Sequence, residues 1–202
     1  MKLYEYEAFP NPRRVRMFLA EKGIEVPRMQ VDVPAGEHRR PEFLSKNPDA
    51  GVPVLELDNG EYLAETVAIS RYFEEIAPGN PLFGETAEEK ARVEMWQRRV
   101  EATLPNAVGS YFHHATDGLG DERYRNREWG EKNRETALNA MRRLDAQLAD
   151  NEFVAGSRFS IADITAICGI DFAKAVGIDV PSGCANLARW YEAVSARPSA
   201  AA

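Results

Sequence analysis

The run Ala77-Pro78-Gly79-Asn80-Pro81 divides this 202-residue chain into two stretches that cannot share one architecture. Two prolines and a glycine in five residues stop both helix and strand, since proline lacks a backbone donor and glycine carries the largest backbone entropy. Before the break, strand-like and helical patterns alternate. After it, strand signals vanish and the apolar repeats all have helical spacing. An α/β part over 1–76, a linker over 77–86 and an all-α helical bundle over 87–202 are therefore expected.

Residues 2–6 read as a strand, and Asn11-Pro12 as a helix start, with Asn11 as the capping residue and proline in the first turn. Val15, Phe18 and Leu19 recur at helical spacing, and Gly23 closes that helix. Met29, Val31 and Val33 alternate as in a second strand, which Pro34-Ala35-Gly36 breaks. A short helix runs through Pro41, Phe43 and Leu44, followed by the turn cluster Asn47-Pro48-Asp49-Ala50-Gly51. Residues 52–57 and Tyr62-Leu63 flank Asp58-Asn59-Gly60 as the arms of a hairpin. Ile69, Tyr72, Phe73 and Ile76 mark one face of a helix that begins near Glu65. The predicted order is β-α-β-α-β-β-α.

Beyond the break, Thr86-Ala87-Glu88-Glu89 is a capping box. One long helix is predicted from it through Val93, Trp96, Val100, Leu104, Val108 and Tyr111, kinked near Pro105. Asp117-Gly118-Leu119-Gly120 interrupts, and Ala137, Met141, Leu144 and Leu148 mark a second helix. Ser160-Ile161-Ala162-Asp163 resembles a capping box with Asp in the Glu position. It opens a third helix over 164–176, apolar on most sides and so central. Leu187, Trp190, Tyr191 and Val194 supply a fourth, stopped by Pro198.

Apolar residues make up 44% of the chain, enough for a sizeable core. No apolar run approaches the ~20 residues of a bilayer span. Met1-Lys2-Leu3-Tyr4-Glu5 lacks the apolar stretch of a secretory signal, so a cytoplasmic location is expected. The net charge of −7, with neither half basic, excludes the footprint of a nucleic-acid or anionic-membrane partner. Cys168 and Cys184 make no disulfide framework and read as buried apolar groups. His113, His114 and Asp117 have no third strong ligand near, so no metal site is expected. Arg13, Arg14 and Arg16 read as the solvated face of the first helix.

Four segments then carry a resemblance: Phe9-Pro10-Asn11-Pro12-Arg13-Arg14-Val15-Arg16, Gly51-Val52-Pro53-Val54-Leu55, Leu63-Ala64-Glu65-Thr66, and Phe153-Val154-Ala155-Gly156 with Ser160-Ile161-Ala162-Asp163. In this order, and over nearly the whole chain, they resemble the cytosolic glutathione transferases of the bacterial type. That resemblance implies a thioredoxin-like first domain, a helical second domain holding the second substrate, glutathione as co-substrate and a homodimer. It implies a cis Val52-Pro53 bond, which turns the Val52 backbone towards the cysteinyl amide of glutathione. Glu65 would hold the γ-glutamyl ammonium. Thr66 and the backbone N–H groups at the helix start would receive the carboxylate. His38, with Arg39 as a substitute, would reach the glycyl carboxylate. Met95, Tyr111 and Phe112, together with Arg98, Arg99 and Val108, are the implied lining for the second substrate, a small electrophile or a disulfide. Ser160 and Asp163 match the family's capping box, a folding feature.

The chain departs from this pattern where the chemistry is expected. A free thiol of pKa about 8.5 is mostly protonated at neutral pH, so the family places a donor beside the sulfur. Many bacterial members have Ser, Thr or Cys directly before Pro-Asn. Here that position is Phe9, which cannot donate. Asn11 is the first replacement, with an amide that can donate at the helix start, and Tyr6 is the second, ahead of Tyr4. Phe9-Pro10-Asn11 and Arg40-Pro41-Glu42-Phe43-Leu44 resemble the nu class, whose members reduce disulfides with glutathione. Three functions follow: conjugation of small electrophiles or action on peroxides, disulfide reduction, and a non-enzymatic glutathione-binding or assembly module.

Overall fold

Proline at the first position of a helix has its backbone angle pre-set and no N–H to leave unpaired. The first helix accordingly starts at Pro10, two residues earlier than expected. The structure is a computed structural model that describes residues 1–118 and 124–202. It divides into two compact units, Met1–Pro81 with Ala201–Ala202, and Leu82–Ala200.

In the first unit, strands β1 (Lys2–Glu5), β2 (Arg28–Gln30), β3 (Val54–Glu56) and β4 (Tyr62–Ala64) form one sheet in the order β2-β1-β3-β4. β1 is parallel to β2 and antiparallel to β3, and β3 and β4 are antiparallel. Helices α1 (Pro10–Lys22), α2 (Pro41–Leu44) and α3 (Thr66–Ile76) complete it. Leu3, Leu55, Val15, Phe18, Ile69 and Phe73 are fully buried, so the apolar faces of α1 and α3 supply the core. The second strand is shorter than expected and set one residue earlier. Val31 keeps one backbone bond to β1, its N–H donating to the Glu5 carbonyl at 2.7 Å, and with Val33 packs on Phe43 and Val54 in a separate cluster.

Two expectations about α1 are corrected. Asn11 is not the capping residue: Phe9 holds that place in extended conformation, with no side-chain cap. Nor are the arginines a solvated face, because Arg14 and Arg16 are buried. Arg16 Nη1 donates to Glu5 Oε2 at 2.7 Å, and Glu5 is 0% exposed. Arg16 Nη2 donates to the Glu7 carbonyl at 3.0 Å, and Gln30 Nε2 donates to Glu5 Oε1 at 3.1 Å. A carboxylate buried so deeply needs such partners, and the planar guanidinium of Arg16 bonds Glu5 and the Glu7 carbonyl together.

The second unit contains α4 (Ala87–Thr103), α5 (Pro105–Ala115), α6 (Arg127–Gln147), α7 (Ile161–Ala175) and α8 (Ala185–Ser195). The Thr86/Glu89 capping box forms as expected. The expected kink near Pro105 is a full break between two helices, with Leu104 at φ −117°, ψ −80°. Proline has no N–H for the i−4 carbonyl and its ring crowds the residue before it, so Leu104 leaves the helical region. α7 passes close to the break: a Cβ at Gly169 would lie 2.9 Å from Leu104 Cγ. Leu82 and Phe83, within the expected 77–86 linker, are 1% exposed in this unit. α7 begins three residues before the expected 164. Cys168 and Cys184 are buried. Leu119 and Gly120 of the predicted interruption lie outside the described residues. Among the described residues no helix is long and apolar enough to cross a membrane.

Asp163, 0% exposed, joins three parts of this unit. It accepts from the Ser160 N–H (3.0 Å) and hydroxyl (2.9 Å), the Val154 N–H (2.9 Å) and the Trp190 indole (2.9 Å). Burial pushes its pKa up to about 6, and the donors pull in the opposite direction. Replacing Asp163 with alanine leaves buried donors unpaired, and urea unfolding is expected to show a loss of about 3 kcal/mol or more. Ser160→Ala, which removes the cap and one of the four donors to Asp163, should cost less, about 1–2 kcal/mol by the same measurement.

Candidate functional site

Strand register brings the sequence-predicted residues of the first unit to one end of its sheet. Tyr4 of β1 pairs with Val54 of β3, which pairs with Ala64 of β4. The chain leaving β1, the chain entering β3 and the chain leaving β4 therefore meet at the same end. β2 runs parallel to β1, so the segment leading to His38 departs from that end too. Asn11 and Tyr6, His38, Val52-Pro53 and Glu65-Thr66 thus lie on the connections around one sheet end, where α1 and α3 also begin. Two helix N-termini there supply backbone donors and the positive ends of two dipoles.

Val52-Pro53 is cis. The loop before it is held by buried Asn47, whose Nδ2 donates to the Gly51 carbonyl at 2.9 Å and whose Oδ1 accepts from the Asp49 N–H at 3.2 Å. Asn47 and Arg16 are the supporting residues that sequence reasoning passed over. An Asn followed by Pro-Asp in a turn cluster was the available signal for the first.

Glu65 is exposed, with φ +70°, a conformation that a non-glycine residue rarely adopts. It stands at the N-cap of α3, and buried Thr66 is the first helical residue. The first intrahelical donor is Ile69, bonded to the Glu65 carbonyl at 2.9 Å, so the N–H groups of residues 66–68 precede the helical ladder. His38 sits in a single 3-10 turn, Glu37–Arg39. Its Nδ1 is buried without a hydrogen-bond partner among the described residues. Burial, and secondarily the charge of Arg39, hold its pKa below the usual value of 6.5, so the ring is neutral at pH 7.

Around α1, Asn11 is exposed in the first turn, and its Oδ1 accepts from Arg14 Nη1 at 3.3 Å. The amide N–H₂ therefore faces away from that contact. Tyr6 and Phe9 form an edge-to-face pair with centroids 4.9 Å apart, packed on the Val31, Val33, Phe43 and Val54 cluster. Tyr4 is removed from the candidates. Its hydroxyl donates to Glu56 Oε2 at 2.6 Å, and that bond, with burial, raises its pKa to about 12.

In the second unit the expected lining does not share one helical face. The break at Leu104 separates Met95 on α4 from Tyr111 and Phe112 on α5. Met95 is 40% exposed, whereas Val108 is 0% exposed and belongs to the core, because it lies on the inward face of α5. Phe112 packs edge-on against Phe172 of α7 at 5.8 Å. Arg98 is ion-paired with Glu94, and Arg99 lies over the Trp96 ring at 5.1 Å. His114 Nδ1 accepts from the Asn126 N–H at 3.2 Å, which ties α5 to the start of α6.

The comparisons with known proteins agree with this architecture. Residues 3–81 match the glutathione S-transferase N-terminal domain, and residues 101–198 the C-terminal domain. Glutathione S-transferase 2 of Saccharomyces cerevisiae is 44% identical over 203 residues, covering 98% of this chain and 87% of that protein. Glutathione S-transferase 3 of Zea mays is 31% identical, covering 98% and 90%. Among solved structures, a glutathione S-transferase domain-containing protein of Marinobacter aquaeolei superposes with a TM-score of 0.96 at 48% identity, covering 98% and 99%. Gtt2 of Saccharomyces cerevisiae superposes with 0.94 at 45%, covering 98% of each chain. On these matches the chain belongs to the glutathione S-transferase family and is an enzyme of that family.

Proposed function

We infer that this enzyme binds glutathione at the sheet end of its first unit and conjugates its sulfur to small electrophiles, or turns it on peroxides. The observation that carries the reading is the meeting of α1, α3, Val52-Pro53 and the strained Glu65-Thr66 step at one sheet end. Backbone strain at a non-glycine residue persists where the surroundings impose it, most often at ligand sites. Thr66 and the free N–H groups of α3 receive the γ-glutamyl carboxylate, and the exposed Glu65 carboxylate receives the ammonium. The Val52 backbone pairs with the cysteinyl amide. Neutral His38 gives the glycyl carboxylate a hydrogen bond, with Arg39 nearby as the cation.

The thiolate then needs a donor. Asn11 supplies it in this reading: Arg14 holds its carbonyl oxygen, and its amide hydrogens remain for the sulfur. The dipole of α1 favours the same ionisation. The sulfur forms its bond to the electrophilic centre as the leaving group departs with its electron pair. Met95, Tyr111 and Phe112 remain the proposed contacts for the second substrate. The protein works as a cytoplasmic homodimer. One observation favours disulfide reduction as the second reading: Phe9 occupies the usual hydroxyl position, as an apolar packing residue. Cys168 and Cys184 are buried and lie outside the first unit's sequence, so that chemistry would use the thiol of glutathione itself.

Three outcomes test the reading. Joint replacement of Glu65 and Thr66 by alanine should raise the glutathione dissociation constant about 100-fold, roughly 3 kcal/mol, in calorimetric titration. An unchanged constant overturns the site. Asn11→Ala should cut turnover with an aryl halide about 10- to 100-fold and raise the pKa of the bound thiol. Asn11→Asp keeps the acceptor for Arg14 and places a negative charge by the sulfur. Should that variant match the parent, the donor role passes to Tyr6, tested by Tyr6→Phe. In size-exclusion chromatography the 22.6 kDa chain should elute near twice its mass, and a monomer at micromolar concentration contradicts the dimer.

A further inference from the structure

The hairpin turn Asp58-Asn59-Gly60 lies outside the sites described above and carries a reactive pair of residues. An asparagine side chain can be attacked by the backbone nitrogen of the residue that follows it. Asn11, Asn47 and Asn80 precede proline, whose nitrogen has no hydrogen to lose. Asn59 alone precedes glycine, which sets no Cβ beside the attacking nitrogen and leaves the backbone free to bring it round. Residues 58–61 are all exposed, so water reaches the turn.

The folded turn holds both reacting groups. Gly60, at φ +84°, donates its N–H to the Leu57 carbonyl at 3.0 Å. Asn59 Oδ1 accepts from the Glu61 N–H at 3.0 Å, and Asn59 Nδ2 donates to Glu61 Oε2 at 3.0 Å. The attacking nitrogen is therefore occupied by Leu57, and the amide that must leave is tied to the Glu61 carboxylate. Local opening of an exposed hairpin tip releases both.

We propose that Asn59 is a site of spontaneous deamidation, gated by the hold of Glu61 on its side chain. When the tip opens, the Gly60 nitrogen loses its proton to water and bonds to Asn59 Cγ. The Cγ–Nδ2 bond breaks, and ammonia leaves with that electron pair and a proton from water. A second water then opens the cyclic imide. Cleavage at Cγ leaves aspartate at position 59. Cleavage at the backbone carbonyl leaves isoaspartate, in which the main chain runs on through Cγ. Either product adds a negative charge beside Asp58 and Glu61. Isoaspartate also lengthens the main chain in the turn before β4 and takes the acceptor of the Glu61 N–H into that chain. The change runs one way, so the hairpin records the age of the molecule. It does not rest on the reading of the glutathione site.

The test ages the full chain in warm neutral buffer and follows the tryptic peptide from Asn47 to Arg71 by mass and retention time. Asn47 precedes proline, so an amide-to-acid gain of mass in this peptide reports Asn59. That gain should appear ahead of conversion at any other asparagine and split into two retention times. The isoaspartyl product should accept a methyl group from protein isoaspartyl methyltransferase. The folded chain should convert about 10-fold more slowly than the chain in urea, the factor expected where bonds of this kind must first open. Glu61→Ala should convert about 3-fold faster than the parent when folded, and at the parent's rate in urea. Glu61→Gln keeps an acceptor for Asn59 Nδ2 and should match the parent in both. Earlier conversion at another asparagine overturns the proposal. So do equal rates for the folded and unfolded parent, and so does a folded Glu61→Ala variant no faster than the parent.

Discussion

The buried pair between Glu5 and Arg16 is the constraint from which the first unit is built. A carboxylate with no exposure at the end of β1 cannot stay charged without a close cation, and Arg16 meets it at 2.7 Å. The same guanidinium takes the Glu7 carbonyl, and Gln30 takes the other oxygen of Glu5. One charge pair therefore sets how α1 lies on the sheet, where β2 sits and how the β1–α1 connection turns. That connection carries Tyr6, Phe9 and Asn11, so the geometry of the proposed donor is inherited from a contact that touches no substrate.

The second unit uses the same device with different chemistry. Among the described residues Asp163 has no basic partner, and its charge is spread over backbone, hydroxyl and indole donors. The effect is to tie the start of α7 to the 153–156 turn and to Trp190 of α8. In both units a buried acid organises its surroundings.

Most of the architecture could be read in the chain because the deciding signals are local. The proline-rich break, the Thr86 and Ser160 capping boxes, the hairpin turn at Asp58-Asn59-Gly60 and the helical repeats each act within a few residues. The readings that changed depended on distant partners. Arg16 resembles any solvated helix arginine until Glu5, eleven residues earlier, is seen beside it. Tyr4 could be a catalytic phenol until Glu56 claims its hydroxyl. Val31 and Val33 alternate as a strand, but the strand ends at Gln30 and the two valines pack with Phe43. At the candidate site, the cis Val52-Pro53 bond and the helix start at Glu65-Thr66 were legible through resemblance, because both are backbone features at fixed motif positions. Asn47 was not, since a residue that braces a loop looks like any other turn residue.

Glu65 sits where a glycine would be more comfortable. Its φ of +70° costs a non-glycine residue about 1–3 kcal/mol, and glycine, with no Cβ, is less strained by a positive φ. Selection for stability alone would drift towards Glu65→Gly, and selection for a charged side chain at the mouth of α3 would resist. The residue found at this position is then a record of which pressure has prevailed. In a chain of this fold that had given up its ligand, position 65 is where relaxation of the backbone would first be written into the sequence.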